Sequence, residues 1–155
     1  MVWTGDTYLR QSRYCPYDRL AGFAATELGH LDPGARAGLL DRSWVAGRLT
    51  YIPGSNNVLE TATDTLLAGI GVCRDFAHLT IALCRALGVP ARLAAVSAPG
   101  LSPMDFHAVV EARRGQGWEV LDPTGSHRGR RWSGSPRVVT APTPRSRRRW
   151  PAPPS

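Results

Sequence analysis

The chain contains no lysine, so every fixed positive side-chain charge is an arginine. No apolar run approaches the ~18–20 residues that a membrane-spanning helix needs, and no membrane partner is expected. The first residues, Met1-Val2-Trp3-Thr4-Gly5-Asp6, lack the basic region and apolar core of a signal peptide. A cytoplasmic location is therefore expected. Cysteine is scarce: Cys15, Cys73 and Cys84. An odd number without paired spacing argues against a disulfide framework and against a zinc site; free thiols in a reducing compartment fit better. Acidic residues are absent after residue 127, where eight arginines lie. The net charge of +7 therefore belongs to the C-terminal stretch. Without those eight, 11 basic residues face 12 acidic ones, and residues 1–127 are nearly neutral.

What is present is enough for one core. The chain has 155 residues, 43% of them apolar, which suggests a single domain. Residues 1–127 read as that domain. Residues 128–155 are rich in Arg, Pro and Ser and are expected to be disordered, because they bury too little surface to offset ordering entropy.

The centre of the sequence is Gly71-Val72-Cys73-Arg74-Asp75-Phe76-Ala77-His78-Leu79, continuing as a helix to Leu87 and stopping at Gly88-Val89-Pro90. Phe76, Ala77, Leu79, Ile81, Leu83, Cys84 and Leu87 are apolar on more than one face, so this helix is expected to be buried. Gly88 suits the left-handed position after a helix end. Cys73 opens the helix, where amides without intrahelical partners and the helix dipole favour negative charge. A thiol there is open to a lowered pKa, although a free cysteine is also often just a small buried hydrophobe.

Around this element the elements predicted run in order. Val2–Thr4 and Tyr8-Leu9 read as edge-strand material, and Ser12–Asp18 as a turn. Asp18 caps a helix to about Leu28, ended by Gly29. A second helix opens at Pro33 after Asp32 and carries Leu39, Leu40, Trp44, Val45 and Leu49; Trp44 reads as a core residue. Thr50–Asn57 is a loop, about Leu59–Leu67 a short helix, and Gly69-Ile70-Gly71 a turn. Ala91–Val96, Phe106–Ala112 and Trp118–Leu121 are strands, with a hairpin turn at Arg113–Gly117 and a further turn at Asp122-Pro123-Thr124-Gly125. Helices followed by an antiparallel meander make an α+β fold, with the cysteine at the N-terminus of a helix packed on the sheet.

Thiol catalysis needs a thiolate, an imidazole that trades its proton, and a group that orients the imidazole. Cys73, His107 and Asp122 supply those types. A hairpin centred near residues 114–116 sets His107 opposite Asp122 on neighbouring strands, with Cβ atoms about 4.5–5.5 Å apart. A core histidine and a turn-shaping aspartate remain the alternative readings. His78, five residues after Cys73, points elsewhere on the helix; His30 lies in a turn and His127 in the tail. Asp75 reads as a first-turn carboxylate, Asp105 as a neighbour able to tune His107, and Arg74 as a solvated surface residue.

These segments resemble the transglutaminase-like superfamily in its bacterial branch. The likeness rests on the Cys73 segment with Cys84–Arg92, on Asp105-Phe106-His107-Ala108-Val109, and on Gly117–Thr124 with Asp122. Upstream, Ser12–Pro16, Trp44-Val45 and Leu49-Thr50-Tyr51 are similar to that branch as well. The resemblance implies a papain-like, cysteine-protease-like arrangement: Cys73 as nucleophile, His107 as base and acid, Asp122 as orienting carboxylate, and no cofactor or metal. The Cys73 amide is the expected first oxyanion donor. The family takes a second donor from an upstream aromatic residue, for which Tyr51 is the candidate here. Relatives commonly carry a β-rich region before the Ser-Arg-Tyr-Cys motif and further strands after Asp-Pro-Thr, so the core is expected to be an incomplete, shortened member.

The family includes cross-linkers, peptidases, amidases and inactive members, so the fold does not choose the substrate. The expected activity is thiol-dependent acyl transfer on amides, either a Gln or Asn side chain or a peptide amide of a protein or peptide substrate. A non-catalytic interaction module is the alternative. Nucleic-acid binding through the arginines, with Trp132 and Trp150 stacking on bases, is the less favoured third reading.

Overall fold

The computed structural model describes residues 5–32, 35–36, 40, 44–55, 57, 59–97 and 106–125. Its centre is the helix α4, Cys73–Ala86, in which every residue from Asp75 to Cys84 is buried. Shorter helices precede it, among them α1 (Tyr17–Leu28), α2 (Trp44–Arg48) and α3 (Ala62–Ala68). Leu20, Ala24 and Leu28 of α1, Val45 of α2 and Ala62 of α3 join Phe76, Leu79, Ile81 and Leu83 in one core. An apolar helix with no polar face has to be covered on all sides, and the sequence surrounds it with helices on one side and a sheet on the other.

That sheet has the order β3-β4-β5, with β3 at Ala91–Ser97, β4 at Phe106–Arg114 and β5 at Gly117–Leu121, all antiparallel. Ala91, Val110, Ala112 and Leu121 lie on the face against α4. Alternation puts Ala94, Val96 and Val109 on the opposite face, where they form a separate small cluster. The end of α4 is closed by two backbone bonds, Val89 N–H to Cys84 O (2.8 Å) and Gly88 N–H to Arg85 O (3.0 Å), with Gly88 at φ +76°. This is the left-handed stop expected at Gly88. Arg85 then ties the helix to the chain around it, donating to the carbonyls of Ala91 and Arg10.

The structure revises four sequence expectations. Tyr8-Leu9 belongs to a 3-10 helix, Gly5–Leu9, rather than to an edge strand. The Tyr8 ring packs edge-on against Trp118, and its hydroxyl accepts from Arg92. Asp18 lies inside the first turn of α1, whose N-cap is Pro16. Thr50-Tyr51 (β1) and Ile70-Gly71 (β2) pair in parallel, so the ends of two expected turns are joined as a two-residue sheet. The β4–β5 hairpin is tighter than expected, with Arg114 opposite Gly117 and a loop of only Gly115 and Gln116. Gly115 at φ +57° suits the first position of such a two-residue loop.

Of the expected second helix, residues 35–36 and 40 are helical and α2 is formed; Pro33 and Leu39 lie outside the described residues. So do Val2–Thr4, Asp105, His127 and the arginine-rich stretch with Trp132 and Trp150. Among the described residues no helix is long and apolar enough to cross a membrane.

Candidate active site

Cys73 is the first residue of α4, and the start of that helix is fixed by its own third residue. The buried Asp75 carboxylate accepts the Val72 N–H at 3.0 Å through Oδ2. Its Oδ1 takes Arg74 Nε and Nη2 at 3.3 and 3.2 Å, and Arg74 also donates to the Asn57 carbonyl. Arg74 is therefore a bridging residue, not the free surface arginine that the sequence suggested. A Cβ on Gly71 would stand 2.8 Å from the Asp75 Cβ, so only glycine admits this carboxylate. Gly71 is held in turn by β1, where it lies opposite Tyr51 and accepts the Ile52 N–H.

His107 and Asp122 meet as the sequence anticipated, by a different register. Val110 lies opposite Leu121, so the continuation of β5 sets Asp122 beside Val109. His107 is then its diagonal neighbour rather than its direct partner. A shift of two residues preserves the face of the sheet, and a diagonal pair remains within reach of long side chains. His107 Nε2 and Asp122 Oδ1 are 3.1 Å apart, with both side chains nearly buried.

Cys73 approaches the same histidine from the edge of β4. The Arg113 N–H bonds to Pro90 O on the β3 side. Odd-numbered amides of β4 therefore face β3, and even-numbered ones face β5. Beyond Val110 the β5 ladder has ended, because the chain turns at Asp122–Gly125, and no rung of β5 pairs with Ala108. The Ala108 amide turns instead to the Cys73 sulfur, which also meets the His107 ring. With Nε2 engaged by Asp122, Nδ1 is the nitrogen left for the thiol.

The electrostatics follow from these contacts. Burial opposes ionisation of Cys73, yet hydrogen bonds from His107 and the Ala108 amide hold its pKa below the ordinary thiol value. Burial likewise works against charge on His107, but hydrogen bonds to Asp122 and Cys73 raise its pKa to about 9. Burial pushes Asp122 up, while His107 and Thr124 more than offset it and hold the carboxyl below its usual range. The arrangement favours ionisation of Cys73 and Asp122 and protonation of the His107 between them.

The other candidates lie elsewhere. His78 is buried and stacked on the Tyr14 ring, centroids 5.1 Å apart, and burial depresses its pKa to about 4. Cys84 is fully buried, with its thiol pushed up to about 12. Cys15 is buried against the His78 carbonyl. Trp44 packs edge-on against Phe23 and lies under Arg48. Tyr51 stands at the end of β1, partly exposed, its ring 5.9 Å from that of Phe76. Sequence reasoning missed Thr124, whose amide and hydroxyl both donate to Asp122 Oδ1. The Asp-x-Thr spacing is itself a side-chain turn signal. Among the described residues, no cluster of His, Cys, Asp and Glu is placed to hold a metal ion.

Known proteins share the fold of this chain. A proposed cysteine protease from Cytophaga hutchinsonii has a similar structure, with a TM-score of 0.73 and 41% identity over 80% of this chain and 43% of that one. The periplasmic domain of TgpA from Pseudomonas aeruginosa, bound to ethylmercury, gives a TM-score of 0.59 and 26% identity over 78% of this chain and 48% of that one. An uncharacterized protein of Mycobacterium leprae (strain TN) is 29% identical over 131 residues, which is 77% of this chain and 45% of that protein. The chain thus spans less than half the length of these relatives. A sequence model of the transglutaminase-like superfamily matches residues 25–123. With well over half of its length inside that match, the chain belongs to the transglutaminase-like superfamily.

Proposed function

We propose that this protein performs thiol-dependent acyl transfer on amides of protein or peptide substrates, with Cys73, His107 and Asp122 as its catalytic machinery. One observation carries the reading: a single imidazole hydrogen-bonded to a cysteine at a helix N-terminus on one side and to a nearly buried carboxylate on the other.

The Cys73 thiolate attacks the amide carbonyl carbon, and the C–S bond forms as the carbonyl electron pair moves onto oxygen. The Cys73 amide, a first-turn donor without an intrahelical partner, receives the oxyanion. The Tyr51 hydroxyl is proposed as the second donor. The imidazolium of His107 gives its Nδ1 proton to the departing nitrogen, and the C–N bond breaks to leave a thioester. His107, now neutral, takes a proton from water or from an acceptor amine as that group attacks. Collapse of the second adduct restores the thiolate and releases an acid or a new amide. Asp122 stays ionised and keeps the imidazole aligned. Three free cysteines make a reducing compartment such as the cytoplasm the proposed setting.

The test is turnover of Gln-containing peptides and peptide amides, read as ammonia or amine release and as amine incorporation. Cys73→Ala is expected to lower the rate by about 10⁴-fold or more with an unchanged unfolding transition. Turnover equal to wild type in that variant would overturn the proposal.

A further inference from the structure

The orienting carboxylate sits where no strand holds it. Asp122 follows the last residue of β5 and begins a turn closed by Gly125 N–H to Asp122 O at 3.2 Å, with Pro123 at its second position. The last torsion of an aspartate is broad and roughly two-fold, so the turn backbone alone does not choose the rotamer. At least three donors converge on its Oδ1: His107 Nε2 at 3.1 Å, the Thr124 amide at 3.1 Å, and the Thr124 hydroxyl at 2.7 Å. The hydroxyl contact is the shortest of the three, within the range of a charge-assisted hydrogen bond.

We propose that Thr124 is a positioning residue: its hydroxyl locks the Asp122 carboxylate in the rotamer that aims the His107 imidazole at Cys73. The inference rests on the reading of those three residues as catalytic. Two effects of losing the hydroxyl compete. A donor that shares Oδ1 with the imidazole is removed, which strengthens the remaining bond by a modest fraction. The carboxylate is also freed to turn, and a misplacement of about 1 Å can cost roughly 10²-fold in rate. The second effect is the larger, so activity falls.

The experiment compares Thr124→Val, Thr124→Ala and Thr124→Ser with wild type and Asp122→Ala. It reads kcat and KM, and the alkylation rate of Cys73 against pH by mass spectrometry. Val and Ala both delete the hydroxyl and differ in bulk. Both are expected to lower kcat by about 10- to 100-fold, with KM within about twofold, and to move the Cys73 alkylation midpoint toward that of a free thiol. Thr124→Ser is expected to restore both. An unchanged midpoint and kcat in Val and Ala, or a Ser variant as impaired as they are, overturns the assignment. If Asp122→Ala moves the midpoint and the Thr124 variants do not, the positioning role alone falls. If wild-type Cys73 already titrates as a free thiol, the catalytic reading falls and takes this inference with it.

Discussion

Adding one methyl group at Gly71, through Gly71→Ala, tests how the nucleophile is held. The new Cβ would lie 2.8 Å from the Asp75 Cβ, 3.3 Å from Oδ2 and 3.5 Å from Cγ. Carbon atoms pack at about 3.5–4.0 Å, so something has to move by roughly 1 Å. Gly71 cannot retreat without breaking its pairing with β1. Asp75 cannot swing away without giving up the Val72 amide and the Arg74 guanidinium while remaining buried. Overpacking costs about 1–3 kcal/mol, and a weakened hydrogen bond to a charged group adds about 1.5 kcal/mol. A destabilisation of about 2.5–4.5 kcal/mol is therefore expected, a large part of the roughly 5–15 kcal/mol typical of a domain. Urea unfolding should show a lower midpoint at an unchanged slope, and the melting temperature should fall by about 10 °C. Gly22→Ala is the control. It lies in α1 with nothing within 4 Å of the added atom, so it should stabilise by about 0.5–1 kcal/mol. A Gly71→Ala protein within about 0.5 kcal/mol of wild type would refute the argument that Asp75 is wedged against this backbone.

Alkylation of Cys73 should switch on below the pH of a free thiol, and turnover should fall again as the pH passes about 9, where His107 loses the proton it must donate. A profile with a single limb near the ordinary thiol value would count against the ion pair. In a Cys73→Ala background, His107 keeps a pKa raised by Asp122. Its contribution to stability should be complete below about pH 6.5 and fade above that. Urea unfolding with and without His107→Gln across pH 5–10 measures the difference, and a difference that grows with pH would contradict the assignment. Cys15 and Cys84, buried with raised thiol pKa values, should resist iodoacetamide in buffer and react in urea, while Cys73 reacts in both. Rapid native labelling of Cys84 would place it outside the core.

The central helix was legible because its signal is local and repeated. Apolar residues on every face, a glycine after its end and a proline beyond leave little choice about type, burial or terminus. The contact between His107 and Asp122 was legible for a different reason. The histidine–aspartate pairing depends on which face of the hairpin each residue takes, and the two-residue error in register left that parity intact. Thr50-Tyr51 and Ile70-Gly71 gave no such signal, because a two-residue parallel pair has no periodicity and joins segments about twenty residues apart. Arg74 was misjudged because its partners, Asp75 and the Asn57 carbonyl, are assembled only by the fold. The helical form of Tyr8-Leu9 likewise follows from Trp118 and Arg92, far along the chain.

The turn at Asp122–Gly125 gives the hairpin a length limit with a consequence beyond the turn itself. A strand that grew past it would bring a carbonyl up to Ala108 and claim the edge that the sulfur now occupies. Sheet growth and sulfur chemistry thus compete for one stretch of backbone: a carbonyl opposite Ala108 would take the N–H that now goes to the sulfur, and Pro123, unable to return an N–H, weakens that rung. A residue at Pro123 able to donate would complete that rung, and a β5 that extended over it would draw the Ala108 N–H away from the thiol while every reactive side chain is still present. A protein altered in that way would be inert through the shape of its sheet and not through the chemistry of its residues.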